Sequence, residues 1–226
     1  MKVFVQEDTI AAISTPFGEG GIGIIRISGS HSLPSALKLF KPLKKRSHYQ
    51  SHKLYLGELI SPSDGTTLDE CLFVYMKSPN SFTREDVVEL HCHGGTVVLQ
   101  MVMEHLLRTG VRDAAPGEFT KRAFLNGRIN LSQAEAVIDV IRAKTDRSLR
   151  AAQSQLKGGL SDALKSVRDQ LIQALALVEA FIDFPEEDID PASFSNIDKD
   201  IGRALNAIQG LLDTYEEGRI ILPSSY

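Results

Sequence analysis

Apolar and polar positions follow two different rules along this chain, and the change falls near Pro116. Before it, short runs alternate or fill with β-branched residues. Residues 9–14 (TIAAIS) and 22–27 (IGIIRI) have strand character, and the FGEGG between them makes the pair a hairpin. Residues 54–60 and 71–76 predict two more strands, joined by the turn-forming SPSDGTT, and 87–92 predicts another. Gly94 and Gly95 then open a helix to about Arg108, with Val98, Met101, Val102, His105 and Leu106 along one stripe. A last short strand is expected over 111–115. Residues 41–52 form the longest stretch with neither period, and they are basic and polar.

After Pro116 the helical period takes over. The sequence S-Q-A-E, Ser132 to Glu135, has the form of a capping box and marks a helix start. That helix carries Val137, Ile138 and Ile141 and continues past Leu149 to Leu156, where Gly158 and Gly159 break it. A second helix is expected over 161–182, with Leu164, Val167, Leu171, Leu175 and Val178 at helical spacing and Pro185 ending it. A third runs from about 196 to 217. The grammar predicts an α+β domain over 1–118 and an all-α segment over 119–226.

Composition sharpens this modestly. With 42% hydrophobic and 24% charged residues, the chain has enough apolar content for a real core. A net charge of −4 argues against a dedicated nucleic-acid binder, although a local basic patch remains compatible with it. Two cysteines, Cys71 and Cys92, make no disulfide framework and suit a reducing compartment. No apolar run reaches membrane-spanning length, and the first ten residues lack the apolar core of a secretory signal. A cytoplasmic location is expected.

Candidate chemistry gathers at a few places. Gly18, Gly20, Gly21 and Gly23 precede a strand rather than a helix, so they do not form a dinucleotide fingerprint. They read as a tight turn that also permits a ligand close to the backbone. Arg26 interrupts an apolar strand, which asks for a solvated face, a carboxylate partner or a ligand anion. In ELHCHGG, strand alternation puts Glu89, His91 and His93 on one face and turns Cys92 toward the other. That removes the thiol from any shell around the histidines, and no further ligands stand at zinc-motif spacing. The row instead reads as a polar pocket beside a helix start, with Glu89 able to grip an amino-pyrimidine edge. The acidic run FPEEDID lacks EF-hand spacing and reads as a solvated loop. KPLKKR, 41–46, reads as an exposed loop, with tRNA contact as the alternative.

Three stretches carry more than any single motif: DTIAAISTPFGEGGIGIIRISG, NSFTREDVVELHCHGG and APGEFTKRAFLNGRINLSQAEAVIDVI. Together they closely resemble the MnmE (TrmE) family of tRNA modification GTPases, and LIQALALVEAFIDFPEEDID resembles that family's helical region. The resemblance covers nearly the whole chain, except KPLKKR with its flanks and the final ILPSSY. It implies an N-terminal tetrahydrofolate-binding and dimerisation domain, similar in fold to folate-dependent aminomethyltransferases. A helical domain follows, into which a Ras-like GTPase domain is inserted. It further implies a homodimer that, with the flavoprotein MnmG, modifies C5 of the wobble uridine in tRNA. The one-carbon unit would come from 5-formyl- or 5,10-methylene-tetrahydrofolate.

By position, the resemblance makes Arg26, Glu89 and Arg128 the folate contacts, with His93, Gly94, Gly20 and Gly21 as the pocket rim. It implies that Glu89 accepts hydrogen bonds from the pterin, and that the two arginines complement folate carboxylates or carbonyls. It leaves His91 without a role. The departures are equally informative. No G-x-x-x-x-G-K-[ST] sequence occurs, and Gly is nowhere followed by Lys, so these residues contain no P-loop. GTP, with Mg2+ and K+, therefore belongs to the full-length family proteins. The family's terminal C-x-G-K is also missing. The chain is expected to be the N-terminal segment of such a protein, with the helical stripes exposed or paired with another chain. The rival expectation is a folate-independent module that dimerises or docks MnmG.

Overall fold

In the computed structural model, residues 8–16, 18–183 and 192–219 are described. The chain divides into one compact unit up to Asn130 and another from Leu131. The order of architectures is the expected one, α+β and then all-α, but the first unit also holds a helix beyond the expected boundary at 118.

The first unit is built on a seven-stranded sheet. Its strands are β1 (Ile10–Ile13), β2 (Gly23–Ser28), β3 (Phe40–Pro42), β4 (Leu54–Ile60), β5 (Thr67–Met76), β6 (Val87–Cys92) and β7 (Arg112–Asp113). Their order is β3-β4-β5-β6-β2-β1-β7. The expected hairpin forms, with Ile10 opposite Ser28 and Ile13 opposite Ile25. All neighbours are antiparallel except β1 and β7, which run parallel. Three helices complete the unit: α1 (Ser32–Leu37), α2 (Thr96–Leu107) and α3 (Glu118–Leu125).

Alternation sorts the sheet into two unlike faces. Ile25 and Ile27 on β2, Val88 and Leu90 on β6, and Phe73 on β5 are fully buried, and α2 closes over them with Leu99, Val102 and Leu106. Each such side chain contributes about 1.5–3 kcal/mol by leaving water. Cys71 and Cys92 belong to this layer. Burial pushes the Cys92 thiol up to about 12 and raises Cys71 as well. The opposite face is more open. It carries Leu54, Leu56 and Leu72, all exposed, and next to them His91, Glu89 and Arg26.

Two glycines allow the backbone contacts that shape this end of the sheet. A Cβ on Gly94 would lie 2.3 Å from the carbonyl oxygen of Gly20, so the loop before β2 rests directly on the turn after β6. A Cβ on Gly23 would lie 2.5 Å from Leu99 Cδ1, so α2 packs against the bare start of β2.

Several elements differ from the sequence reading for identifiable reasons. The short α1 and β3 carry no readable period, because α1 has six residues with Pro34 inside it and β3 is a three-residue edge strand ending at Pro42. Strand β5 begins at Thr67 rather than Cys71, past Gly65 in a left-handed turn at φ +75°. The expected strand over 111–115 shrinks to two residues.

In the second unit the helix read as continuous from Ser132 to Leu156 is two: α4 (Leu131–Arg142) and α5 (Asp146–Leu156). Thr145 starts α5 with a capping box, its hydroxyl accepting from the Ser148 amide at 3.1 Å. Gly158, at φ +95°, separates α5 from α6 (Gly159–Asp183), as the glycine pair predicts. Helix α7 (Ala192–Arg219) packs along α6. Small residues dominate the buried positions here, namely Ala136, Ala152, Ala174 and Ala204, with Val167. Leu164, Leu171, Leu175 and Val178 are exposed, so that stripe lies largely uncovered. Pro185 and the acidic run Glu186, Glu187, Asp188 and Asp190 lie outside the described residues.

The Gly94 contact predicts that Gly94→Ala destabilises the first unit by about 1–3 kcal/mol through overpacking. Urea unfolding checks this, and an unshifted midpoint would mean that the glycine loop yields at no cost.

Candidate functional site

Strand pairing places Arg26 directly across from Glu89 in the β2–β6 ladder. Arg26 Nε donates to Glu89 Oε1 at 2.8 Å, and Nη2 stands 2.7 Å from the same oxygen. His91 lies on the same face, with Nε2 3.1 Å from Glu89 Oε2. The carboxylate is therefore held from two sides, and His91 gains a contact that its sequence position did not explain. The Glu89 side chain is 14% exposed, against 32% for Arg26 and 24% for His91, so the row is sheltered yet reachable.

Two aromatic rings flank the row. The Arg26 guanidinium carbon is 6.0 Å from the Phe82 ring centre and 5.8 Å from that of Phe119. Arg128 approaches Phe82 too, at 5.1 Å, while its Nη1 donates to the Ser81 carbonyl at 2.6 Å. Cations at this range are drawn to an aromatic face. Arg26 and Arg128 thus converge on Phe82 from widely separated parts of the sequence, and α3 supplies Phe119. Neither phenylalanine was singled out by the sequence reading.

What holds Phe82 there is a network the sequence reading missed entirely. Arg122 on α3 is 1% exposed. Its Nη2 donates to Asp8 Oδ1 at 2.8 Å and to Glu118 Oε1 at 3.0 Å, and its Nη1 reaches both Glu85 oxygens at 3.3 Å. Arg112 on β7 grips Glu118 through two nitrogens, at 2.6 and 3.0 Å, and also pairs with Asp8. Glu85 in turn accepts from Ser28 Oγ at 2.7 Å, and the amide of Asn126 donates to the Thr83 carbonyl at 2.6 Å. The loop carrying Ser81 to Glu85 is therefore stitched to β2, α3 and the segment that ends in Arg128. Only the Glu118–Arg122 spacing, one helical turn apart, signalled any of this in the sequence.

The rim residues divide. Gly94 and Gly20 meet through the backbone contact described above, and Gly21 stands open beside them. His93 does not share the Glu89 face. Strand β6 ends at Cys92, alternation lapses there, and His93 turns to Asp69. Its Nδ1 is 2.6 Å from Asp69 Oδ1, and its backbone N–H donates to Oδ2 at 2.8 Å. Asp69 sits opposite the fully buried Leu59 in the β4–β5 ladder, on the core side. The Asp69 hydrogen bond raises the imidazole above its usual range. Among the described residues no group of three or more His, Cys, Asp or Glu side chains is arranged to hold a metal ion. A groove of about 540 Å³ lies between α6 and α7 in the other unit, lined by Gln173, Leu177 and Arg203 among others. It contains none of the expected site residues.

Comparison with known proteins identifies the family of the chain. A family model described as the N-terminus of the GTP-binding protein TrmE matches residues 9–128, and one described as the MnmE helical domain matches 131–222. The tRNA modification GTPase MnmE of Geotalea uraniireducens is 52% identical over 219 residues, covering 97% of this chain and 48% of that protein. That of Geobacter metallireducens is 51% identical over 215 residues, covering 95% and 47%, and that of Carboxydothermus hydrogenoformans 49% over 219, covering 96% and 48%. The two domain types, in this order, define an N-terminal TrmE domain joined to an MnmE helical domain. The chain belongs to the MnmE (TrmE) family of tRNA modification GTPases. It spans about half the length of the curated relatives it matches.

The ionic groups set stability in two testable ways. Replacing Arg122 by Met leaves Asp8, Glu85 and Glu118 without their shared cation, so the first unit loses roughly 3–5 kcal/mol in urea unfolding. The second concerns acid. The Arg112 hydrogen bonds beside Glu118 hold its carboxyl down at about 2. A carboxylate depressed on folding contributes stability that is present above its unfolded pKa and lost as pH falls through the folded one. Stability should therefore decline from about pH 4.5 toward pH 2, and Glu118→Gln should flatten that limb.

Proposed function

We propose that the first unit binds a reduced folate, 5-formyl- or 5,10-methylene-tetrahydrofolate, at the Glu89 row. The observation that carries this reading is the Glu89 carboxylate standing between Arg26 and His91, with Phe82 and Phe119 flanking Arg26. A pterin is planar and presents an amino group and a ring N–H side by side. A carboxylate accepts that edge through two hydrogen bonds, and aromatic rings suit its faces. Arg26 already occupies Oε1 twice and His91 approaches Oε2, so the bound state requires one of them to yield part of its contact. His91 is the weaker holder, being farther from the carboxylate, and we assign the yielding to it. Arg128, exposed and 5.1 Å from the Phe82 ring centre, would complement a carboxylate or carbonyl of the ligand.

In this reading the chain serves modification of the wobble uridine of tRNA at C5, as a homodimer working with the flavoprotein MnmG. The names of its relatives support the tRNA-modification part. GTP hydrolysis is not assigned to these 226 residues, which carry no P-loop sequence. No helix among the described residues is long and apolar enough to cross a membrane. A second reading, a folate-independent module that dimerises or docks MnmG, draws on the exposed Leu54, Leu56 and Leu72 of the open sheet face.

Isothermal titration with 5-formyltetrahydrofolate tests the pocket. Saturable binding is expected for the intact chain. Glu89→Ala should weaken it by about a hundredfold, in keeping with the roughly 1.5–3 kcal/mol of a hydrogen bond to a charged group. Undiminished binding by a folded Glu89→Ala protein would remove the pocket from this site. Sedimentation with and without the ligand separates the readings, because a dimer indifferent to folate, in a protein that binds none, leaves only the docking module.

A further inference from the structure

Charge is distributed unevenly in the first unit. Between Glu19 and Glu58 the chain contains no Asp or Glu, although its net charge is −4. Within that interval Lys38, Lys41, Lys44, Lys45, Arg46 and Lys53 are all exposed. They lie just before, on and after β3, the edge strand, and along the loop to β4. Among the described residues none of the six takes part in an ion pair. Glu58 stands across the ladder from Lys41, and Glu70 across from Glu58. His48 and His52 share the loop.

This loop has no regular structure, yet it is pinned. The Tyr49 ring packs 4.9 Å from Phe73 and 5.1 Å from Tyr55, at the margin of the core. The Gln50 amide donates to the Tyr55 hydroxyl at 2.7 Å, the His52 amide to the Tyr75 carbonyl at 2.7 Å, and the Lys77 amide to Ser51 Oγ at 2.9 Å. Arg46 lies over the Tyr55 ring at 4.8 Å. A pinned loop presents its cations without the ordering cost that a free basic tail incurs on binding. Cations that face water without carboxylate partners are matched by a polyanion, whose condensed counterions are released on contact. Anionic membrane surfaces are met by basic clusters next to a membrane span or on an amphipathic helix. This cluster lies on neither, which favours RNA.

We propose that the β3–β4 loop is an RNA-docking surface that receives the phosphate backbone of tRNA, on a different element from the Glu89 pocket. It rests on the reading that the chain serves tRNA modification. The measurement is fluorescence anisotropy of labelled tRNA against the whole chain across a KCl series. Wild-type binding should weaken steeply with salt. Lys44→Glu with Lys45→Glu should weaken it by about tenfold or more and flatten the salt slope by roughly one for each phosphate the loop no longer meets. Both side chains are exposed and, among the described residues, take part in no ion pair, and an unchanged urea midpoint confirms that the variant folds. Arg46→Ala, which also removes the Tyr55 contact, serves as a second variant expected to act in the same direction. Absence of wild-type tRNA binding, or wild-type affinity in the double variant, overturns the proposal. Loss of binding to phosphatidylserine vesicles with tRNA binding intact also overturns it, and assigns the loop to lipid. Titration of the same variants with 5-formyltetrahydrofolate is a separate readout. A protein that binds tRNA through the loop but no folate loses the pocket and keeps the surface.

Discussion

A guanidinium taken out of water costs several kcal/mol unless anions surround it, and the first unit surrounds Arg122 with Asp8, Glu85 and Glu118. The three carboxylates come from before β1, from the loop ahead of β6 and from the first turn of α3. Satisfying one buried cation therefore fixes three segments at once. Much of the candidate site hangs on this arrangement. The Glu85 loop carries Phe82, and α3 carries Phe119 and leads to Arg128. The central pair, Arg26 and Glu89, is set by strand register alone and is independent of the hub. The site thus has a rigid half, written into the sheet ladder, and a half that depends on the charge network.

Legibility in the sequence followed the same division. Strand alternation is a strictly local rule, and it placed Glu89 and His91 together and turned Cys92 inward, as the ladder shows. It failed one residue later, because the rule holds only while the strand lasts and β6 stops at Cys92. Asp69, the residue that captures His93, was invisible because β5 starts at Thr67, ahead of its apolar run. The Arg122 hub was beyond reach, since its partners are separated by up to 114 positions and have no shared motif. Arg26, Glu89 and Arg128 entered as candidates through family resemblance. That two of them are cross-strand partners, and two share one phenylalanine, emerged only from the fold.

The helical unit shows the converse case. Its periodicity was readable, with the Gly158 break in place, and its apolar stripe is largely exposed, one of the two outcomes expected for it. Periodicity reports which face of a helix is apolar, while the buried hydrophobic positions described on α6 and α7 are Val167, Ala174 and Ala204. The single helix expected from 132 to 156 broke because Thr145 and Ser148 form a cap, whose T-D-R-S sequence lacks the Glu or Gln that makes S-Q-A-E readable at Ser132.

The two thiols give the molecule an internal marker. Cys71 and Cys92 are the only cysteines, both lie in the first unit, and both are buried with thiols shifted well above neutrality. A thiolate must form before an alkylating reagent reacts, so each is inert while the sheet stays closed. Modification would then proceed only at the pace at which this sheet opens, with no contribution from the helical unit. The chain carries a built-in clock for the breathing of one half, read by mass spectrometry as the mass that the alkylating reagent adds.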